Sequence, residues 1–146
     1  MHGRPRNLAS DQIRRRYPDY DRIPEMSETE LQALGENYAD DFVREDRRSF
    51  VTIPSASFED FIASLRSYWE LGGGAPSFTV AEVIAVRGQR LVLFRSRIEF
   101  DDERSTESLV VLEYDGRMRA KLATMFDADD REAALLELDR RHALTH

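Results

Sequence analysis

The sequence predicts a single α+β domain in which helices cover a curved antiparallel sheet. Three observations predict it. Apolar residues recur at helical spacing in the first half of the chain, alternate with polar residues over residues 77–126, and return to helical spacing after Asp127. The chain has 146 residues, which suits one domain with a sizeable core. Helices, then a run of strands, then a closing helix are typical of helices packed on one face of an antiparallel sheet.

The first 26 residues are predicted to form a basic, proline-punctuated arm, and residues 27–146 the domain itself. The arm contains three consecutive arginines at residues 14–16. Such a charge run indicates a solvated helix face more often than a partner site. A short helix over residues 10–17 is therefore predicted within the arm.

Two amphipathic helices are predicted at the start of the domain. Ser27 with Glu30 three residues later has the form of a capping box for the first helix. Its apolar face carries Leu31, Leu34 and Tyr38. A short extended stretch follows at residues 42–50. The second helix begins at Ser57 and ends before three glycines at residues 72–74. Its apolar face carries Phe58, Phe61, Ile62, Leu65 and Trp69.

Four strands are predicted over residues 77–87, 91–100, 106–114 and 117–126. Tight turns at residues 87–90 and at Asp115-Gly116 make them an antiparallel meander. A last helix is predicted to begin at Asp127, as its cap, and to carry Ala134, Leu135 and Leu138 inward. Alternation assigns one face of the strands to the inside of a cone. The inward residues are Val92, Phe94, Ser96, Ile98, Phe100, Val110, Leu112, Tyr114, Met118, Ala120, Leu122, Thr124 and Phe126.

Composition excludes several kinds of site. The chain has no cysteine, which excludes disulfides, zinc–thiolate sites and cysteine nucleophiles. Its three histidines, His2, His142 and His146, lie near the termini, which disfavours a histidine triad or metal site. A net charge of −7 disfavours nucleic acid. With no long apolar run and no secretory signal, we expect a cytoplasmic protein without cofactor, metal or membrane contact.

The segment Tyr38-Ala39-Asp40-Asp41 is followed by a short strand, a helix and a meander ending in Phe126-Asp127. This order resembles the nuclear transport factor 2-like superfamily, also called SnoaL-like, over residues 27–135. The resemblance implies an α+β cone: a curved antiparallel sheet, made of a four-strand meander plus a short strand, with helices on its concave face. It also implies a homodimer that pairs through the outer sheet face. This fold hosts enzymes and non-enzymes alike, so the resemblance leaves the function open.

The run from Tyr38 to Asp46 is similar to ketosteroid isomerase, which implies that Asp46 stands at the position of the general base. A carboxylate at the mouth of an apolar cone is poorly solvated, which favours proton uptake. The isomerase's neutral acid falls on or beside Val110, which offers no hydrogen-bond donor. Its tyrosine donor has only Tyr17 or Tyr20 as substitutes. Without an oxyanion hole, steroid isomerisation is disfavoured.

The limonene epoxide hydrolase pattern is also incomplete. That enzyme's aspartate on the last strand corresponds to Thr124 here. Arg97 and Glu99 resemble its Arg-x-Asp, but alternation points both side chains outward, as in a surface or dimer-face ion pair. Whether the chain is an enzyme therefore stays open.

The cone is predicted to enclose a pocket for a small, mostly apolar molecule. Trp69 is interpreted as core or as an aromatic clamp, and Asp41 as a helix terminator or a pocket residue. The predicted lining consists of Tyr38, Asp41, Trp69, Phe94, Ser96, Ile98, Val110, Leu112, Tyr114, Leu122, Thr124 and Phe126.

Three functions compete. The first is a ligand-binding domain, non-catalytic or regulatory, with an apolar pocket. The second is a small enzyme of the isomerase, polyketide cyclase or epoxide hydrolase type, with Asp46 as base. The third is a dimerisation module, because the outer strand face mixes apolar and charged groups as interfaces do. That face carries Arg95, Arg97, Glu99, Leu109, Val111 and Glu113.

Overall fold

The computed structural model describes residues 5–49, 55–68, 77–99, 103 and 105–144. The predicted Trp69 and Phe100 lie outside the described residues. Along the chain the elements are α1 (Leu8–Arg16), a 3₁₀ helix (Tyr17–Glu25), α2 (Glu28–Gly35), β1 (Tyr38–Asp46), β2 (Ser55–Ala56), α3 (Phe58–Tyr68), β3 (Ser77–Arg87), β4 (Leu91–Glu99), β5 (Ser105–Tyr114), β6 (Ala120–Asp127) and α4 (Arg131–Leu144). The α+β class is confirmed.

One six-stranded sheet organises the fold, in the order β2-β1-β6-β5-β4-β3. Strands β3 to β6 form the predicted antiparallel meander. Strand β1 runs parallel to β6, and the two-residue β2 pairs antiparallel with β1. Of the extended stretch predicted at residues 42–50, residues 42–46 lie in β1, which begins four residues earlier at Tyr38.

Tyr38 belongs to this strand and not, as predicted, to the preceding helix. Helix α2 has its capping box at Ser27 and Glu30, as expected, but ends at Gly35. From Asn37 the backbone pairs with β6, whose Ala120 N–H donates to the carbonyl of Asn37 at 2.8 Å. The prediction was wrong because a strand partner 80 residues away leaves no trace in local apolar spacing.

Both faces of the sheet are buried. Helix α1 and the 3₁₀ helix cover the concave face, where a large core includes Ala9, Ile13 and Tyr17. The structure thus folds residues 8–25 of the predicted arm onto the sheet. Helix α4 covers the convex face, where Ala134 and Leu138 are fully buried.

Helix α4 packs on the opposite face of the sheet from α1 and the 3₁₀ helix, whereas the prediction placed helices on the concave face only. The reason is visible in the strands: the side opposite the cone is also apolar, so it requires its own cover. This second core contains Leu91, Leu93, Leu109, Val111 and Phe126.

Helix α4 begins at Arg131, four residues later than predicted. The carboxylate of Asp127 does not cap it but accepts hydrogen bonds from the backbone N–H and the hydroxyl of Ser49. Residues 128–130 form the turn between β6 and α4. None of the described helices has the length and apolarity that crossing a bilayer requires.

Candidate ligand pocket

A cavity of about 90 Å³ lies between the concave face of the sheet and the helices that cover it. These helices, α1 and the 3₁₀ helix over residues 8–25, are called the N-terminal cover. The floor of the cavity comes from the inward residues of the strands, which alternate with residues facing the other way. Val110, Leu112 and Tyr114 of β5 and Phe94 and Ile98 of β4 form the middle strands' part of this floor. The resulting wall is predominantly apolar, as expected for a small-molecule site.

The cover is fixed to the β3–β4 hairpin by Asn7. Its side-chain carbonyl accepts from the Ser10 N–H at 2.8 Å and so caps α1. Its side-chain amide donates to the carbonyls of Leu91 and Gly88 at 2.8 and 3.0 Å. The Ala9 N–H adds a backbone hydrogen bond to Gln89. These bonds place the inner face of α1 over the cavity.

Tyr17 and Tyr20 project from the 3₁₀ helix into the cavity wall. The hydroxyl of Tyr17 shares a buried hydrogen bond with Ser96, and its ring makes edge contacts with Phe78 and Phe94. Burial raises the pKa of Tyr17 to about 12, although the hydrogen bond to Ser96 acts in the opposite direction. Burial likewise raises the pKa of Tyr20 and Tyr114. All three phenols are therefore neutral groups.

Arg44 is the cation on the strand wall of the cavity. It lies on β1 with Phe42 and Asp46, and these three alternate with the less buried Val43 and Glu45. Its side chain is 23% exposed. Burial lowers the pKa of Arg44, an effect that the negative charge of Asp46 opposes.

Asp46, the predicted general base, forms an ion-pair cluster beside the cavity and does not line it. Arg48 donates three side-chain hydrogen bonds to it: from Nε to Oδ1 at 2.8 Å and to Oδ2 at 3.1 Å, and from Nη2 to Oδ2 at 2.5 Å. The Arg48 backbone N–H also donates to Oδ1. Arg44 lies 3.7 Å from Oδ2. The Asp46 side chain is 1% exposed, and both of its carboxylate oxygens accept charge-assisted hydrogen bonds from Arg48.

Six of the residues predicted to line the pocket do so: Tyr38, Phe94, Ile98, Val110, Leu112 and Tyr114. Ser96 is buried behind the wall, where it bonds Tyr17. Asp41 is exposed and does not contribute to the lining. Trp69 lies outside the described residues.

Three predicted residues of β6 lie on the convex side of the sheet. Phe126 packs in the convex core, and Leu122 and Thr124 share its parity along the strand. Thr124 stands opposite Val111, which also faces α4. The alternation was assigned to the wrong phase over this strand.

The cause is a β-bulge. Tyr114 pairs with Ala120 but Glu113 pairs with Leu122, so Lys121 is an extra residue in β6. One inserted residue moves every following side chain to the other face. Ala123 and Met125 therefore line the cavity in place of their neighbours.

Sequence reasoning missed the residues that the cover and β1 contribute. Gln12, Ile13, Arg16 and Tyr17 reach the cavity from a segment predicted to be a separate arm. Ile13 and Tyr17 are four residues apart, a helical spacing that did signal an apolar face. The sequence around Phe42 and Arg44 shows only the alternation of a strand, and nothing local indicates that their face of β1 is the one that lines the cavity.

A second group of buried charges lies under α4, away from the cavity. Arg140 donates to both carboxylate oxygens of Glu137, at 3.0 and 2.7 Å, and Arg47 and Arg141 pair with the same acid. Arg141 also lies 3.5 Å from Glu113. Burial raises the pKa of Glu137, but these arginines outweigh burial and lower it overall. The cluster fastens α4 to the sheet.

A wider groove of about 840 Å³ lies between α2, α3 and β1. It shares Tyr38 and Phe42 with the cavity, but its rim carries the exposed acids Glu28 and Glu59. Within the described ranges, no cluster of three or more acidic or histidine side chains is arranged to hold a metal. The mostly apolar cavity between the sheet and the N-terminal helices is therefore the candidate site.

No family model matches the chain, and no curated protein matches it. Among solved structures it is similar to SalBIII, an epoxide hydrolase/cyclase-like enzyme with a role in pyran ring formation in the polyether salinomycin. The two are 14% identical, with a TM-score of 0.48 over 82% of this chain and 93% of that one. A likeness this distant says nothing about chemistry. By its element order and sheet topology, the chain has an α+β fold in which helices pack on a six-stranded, mostly antiparallel sheet.

Proposed function

We propose that this chain binds a small, mostly apolar molecule inside its cone, without turning it over. The observation that carries the proposal is the cavity between sheet and cover, whose walls are aliphatic and aromatic with a few polar groups. Such a combination gives affinity through apolar burial and orientation through sparse hydrogen bonds. A binding domain of this kind serves sensing or regulation.

The size of the cavity constrains the ligand. The cavity measures about 90 Å³. Typical ligand pockets measure about 300–1,000 Å³. The ligand is therefore either very small or enters by shifting the cover. The cover is the element suited to shift, because a nine-residue 3₁₀ helix is much longer than the usual three to four residues.

The catalytic alternative, with Asp46 as base, gains no specific support from the geometry. Its carboxylate oxygens already accept from Arg48, and it lies outside the cavity lining. A general base needs an oxygen within hydrogen-bond reach of the substrate proton. The hydroxyl of Tyr17 is already bonded to Ser96. Binding without turnover requires neither the Asp46 carboxylate nor the Tyr17 hydroxyl to leave its present hydrogen bonds.

The experiment is a binding titration of neutral apolar probes, such as benzene, indole and cyclohexanol, followed by thermal unfolding. Ala123→Leu is the test variant, because a larger side chain there fills the cavity. Ala143→Leu is the matched control, because the same change at the exposed end of α4 leaves the cavity intact. Far-ultraviolet circular dichroism checks that both variants fold.

We expect one probe class to stabilise wild type and Ala143→Leu equally, and Ala123→Leu much less. A probe at about 100 times its Kd stabilises the folded state by about 2.7 kcal/mol. Equal stabilisation of all three proteins would place the probe elsewhere. Absence of any stabilisation would leave the cone as a filled core and overturn the proposal.

A further inference from the structure

We infer that the ligand is an elongated, uncharged amphiphile that lies partly in the cavity and partly in the groove between α2, α3 and β1. This inference rests on the proposed function and names the shape and class of the ligand. The observation behind it is that Tyr38 and Phe42 line both the cavity and the groove. These two aromatic residues therefore form a wall that the two spaces share.

The volumes of the two spaces fit a ligand that uses both. The cavity measures about 90 Å³, whereas typical ligand pockets measure about 300–1,000 Å³. The groove beside it measures about 840 Å³. A ligand that crosses the shared wall is accommodated without movement of the N-terminal cover, which is a third possibility beside a very small ligand and a shifted cover.

The backbone of the shared wall is the irregular part of β1. The register of β1 with β6 is interrupted between Tyr38 and Val43, and residues 39–42 have no partner there. On the other side, the described part of β2 pairs only with Arg44 and Glu45. Such interruptions of a ladder are common beside binding sites, because an unpaired segment moves at less cost than a paired one. The wall is thus carried by the segment of β1 that is best able to move aside.

Ring contacts hold the shared wall closed. The rings of Tyr38 and Phe42 meet edge to face with their centroids 4.8 Å apart, and the Tyr38 ring lies 4.3 Å from that of Phe58 in α3. Phe58 lines the groove but not the cavity. An apolar chain that passes these rings replaces their contacts with one another by contacts with the ligand, so their apolar surface stays buried.

The two spaces differ in polarity, which orients the ligand. The cavity is lined mostly by aliphatic and aromatic side chains, whereas the groove also carries Gln32. The groove has three exposed acids, Glu28, Asp40 and Glu59, against the single cation Arg66 among its described lining residues. This excess of negative charge disfavours an anionic ligand. The apolar end of the ligand therefore fills the cavity, and its uncharged polar end lies in the groove.

The test uses straight-chain alcohols from butanol to decanol, titrated into the full chain, with Kd measured by NMR. Ala63→Phe fills the groove from α3, because Ala63 is exposed and lines it. Ala143→Phe, at the exposed end of α4, is the matched control. Ala123→Leu fills the cavity instead. Far-ultraviolet circular dichroism checks that all three variants fold.

We expect the Kd of wild type and of Ala143→Phe to fall by about fourfold for each added methylene up to octanol, as burial of each methylene implies. Ala63→Phe should bind butanol as wild type does, but octanol at least about tenfold more weakly. Ala123→Leu should weaken binding of both alcohols. Octanol binding that is unchanged in Ala63→Phe, or a Kd that stops improving at butanol, would overturn the inference alone. Binding of no alcohol, or equal binding in Ala123→Leu, would overturn the proposed function with it.

Nuclear Overhauser effects from bound octanol to the wild-type chain give a readout that needs no substitution. The terminal methyl group of octanol should contact Leu112 in the cavity, while the methylene next to its hydroxyl should contact Ile62 and Ala63 in the groove. Methylenes in the middle of the chain should contact the rings of Tyr38 and Phe42. Contacts of both ends with the cavity alone, or with the groove alone, would contradict a ligand that crosses the shared wall.

Discussion

At the scale of residues, the neighbours of Asp46 decide what its carboxylate does. Arg48 bonds both of its oxygens, and Arg44 lies within ion-pair distance. A buried carboxylate held this way needs its partners, because an unpaired buried charge is strongly destabilising. The same pairing positions Arg44 at the cavity wall. Asp46 thus contacts a cavity-lining residue, Arg44, without lining the cavity itself.

Asp46→Asn should lower the free energy of unfolding by about 1–3 kcal/mol, because it leaves two partly buried arginines without their anion. Glu99→Gln, which breaks the exposed pair with Arg97, should cost less than about 0.5 kcal/mol. Urea unfolding of both variants measures the difference. Equal, small effects would show that the Asp46 cluster does not stabilise the fold.

The buried tyrosines make stability sensitive to alkaline pH. Burial raises the pKa of Tyr17 from 10.0 to about 12, so the fold favours the neutral phenol. The stability that this provides is complete below pH 10.0 and is lost as the pH rises toward about 12. Tyr20 and Tyr114 shift in the same direction.

We therefore expect the free energy of unfolding to fall as the pH is raised above the ordinary phenol pKa, by about 1.4 kcal/mol per pH unit for each tyrosine that is neutral in the folded state and ionised in the unfolded chain. Tyr17→Phe should lower stability at every pH but make this alkaline slope shallower. Urea unfolding over an alkaline pH series gives the slope. An unchanged slope in Tyr17→Phe would contradict a raised pKa at this residue.

At the scale of elements, the N-terminal cover supplies cavity-lining residues that the sequence patterns did not assign to the pocket. The capping box at Ser27 predicted the start of α2 correctly, because that motif involves only residues that are close in sequence. Asn7 also caps a helix, but its contacts with Gly88 and Leu91 are about 80 residues distant along the chain. Such contacts leave no periodic signal. The cover was therefore predicted as a separate arm.

Asn7→Ala should cost about 2 kcal/mol, because it removes a helix cap and leaves the buried Leu91 carbonyl without its donor. Ser27→Ala removes an exposed cap and should cost about 1 kcal/mol or less. Hydrogen exchange of the α1 amides should quicken in Asn7→Ala and not in Ser27→Ala. Unchanged exchange in Asn7→Ala would mean that other contacts hold the cover.

The meander shows where alternation succeeds and where it fails. Strands β4 and β5 keep a strict period of two, so their inward residues were predicted correctly. In β6 the extra residue Lys121 shifts the phase, and no sequence feature marks it as a bulge. The start of strand β1 was predicted four residues too late, because its first residue pairs with β6, which lies far along the chain. Fold class follows from local pattern, whereas pocket lining depends on register.

At the scale of the whole molecule, the sheet is enclosed between two covers, one on each face. Helix α4 covers much of the predicted dimer face, because Leu109, Val111 and Glu113 are buried beneath it in the same chain. The part of that face left open carries Arg97 and Glu99, which pair with each other. The family resemblance implies homodimerisation through this face, whereas most of the face's apolar surface is covered by α4 of the same chain.

Light scattering at high protein concentration tests whether two chains pair through this face. We expect the mass of one chain, because an open patch of charged residues contributes little association energy. A mass of two chains would support the pairing that the family resemblance implies, and would require α4 to form part of the interface. Leu136→Arg, at the exposed surface of α4, would then return the mass to one chain.

The most direct test of the binding proposal locates a bound molecule by NMR. A neutral apolar probe such as indole is added to protein with ¹³C-labelled methyl groups, and nuclear Overhauser effects from probe to protein are recorded. We predict contacts with Val110, Leu112 and Ala123, which face the cavity. Contacts with Val111 and Leu138 on the convex side, or no contact at saturating probe, would contradict a ligand site within the cone.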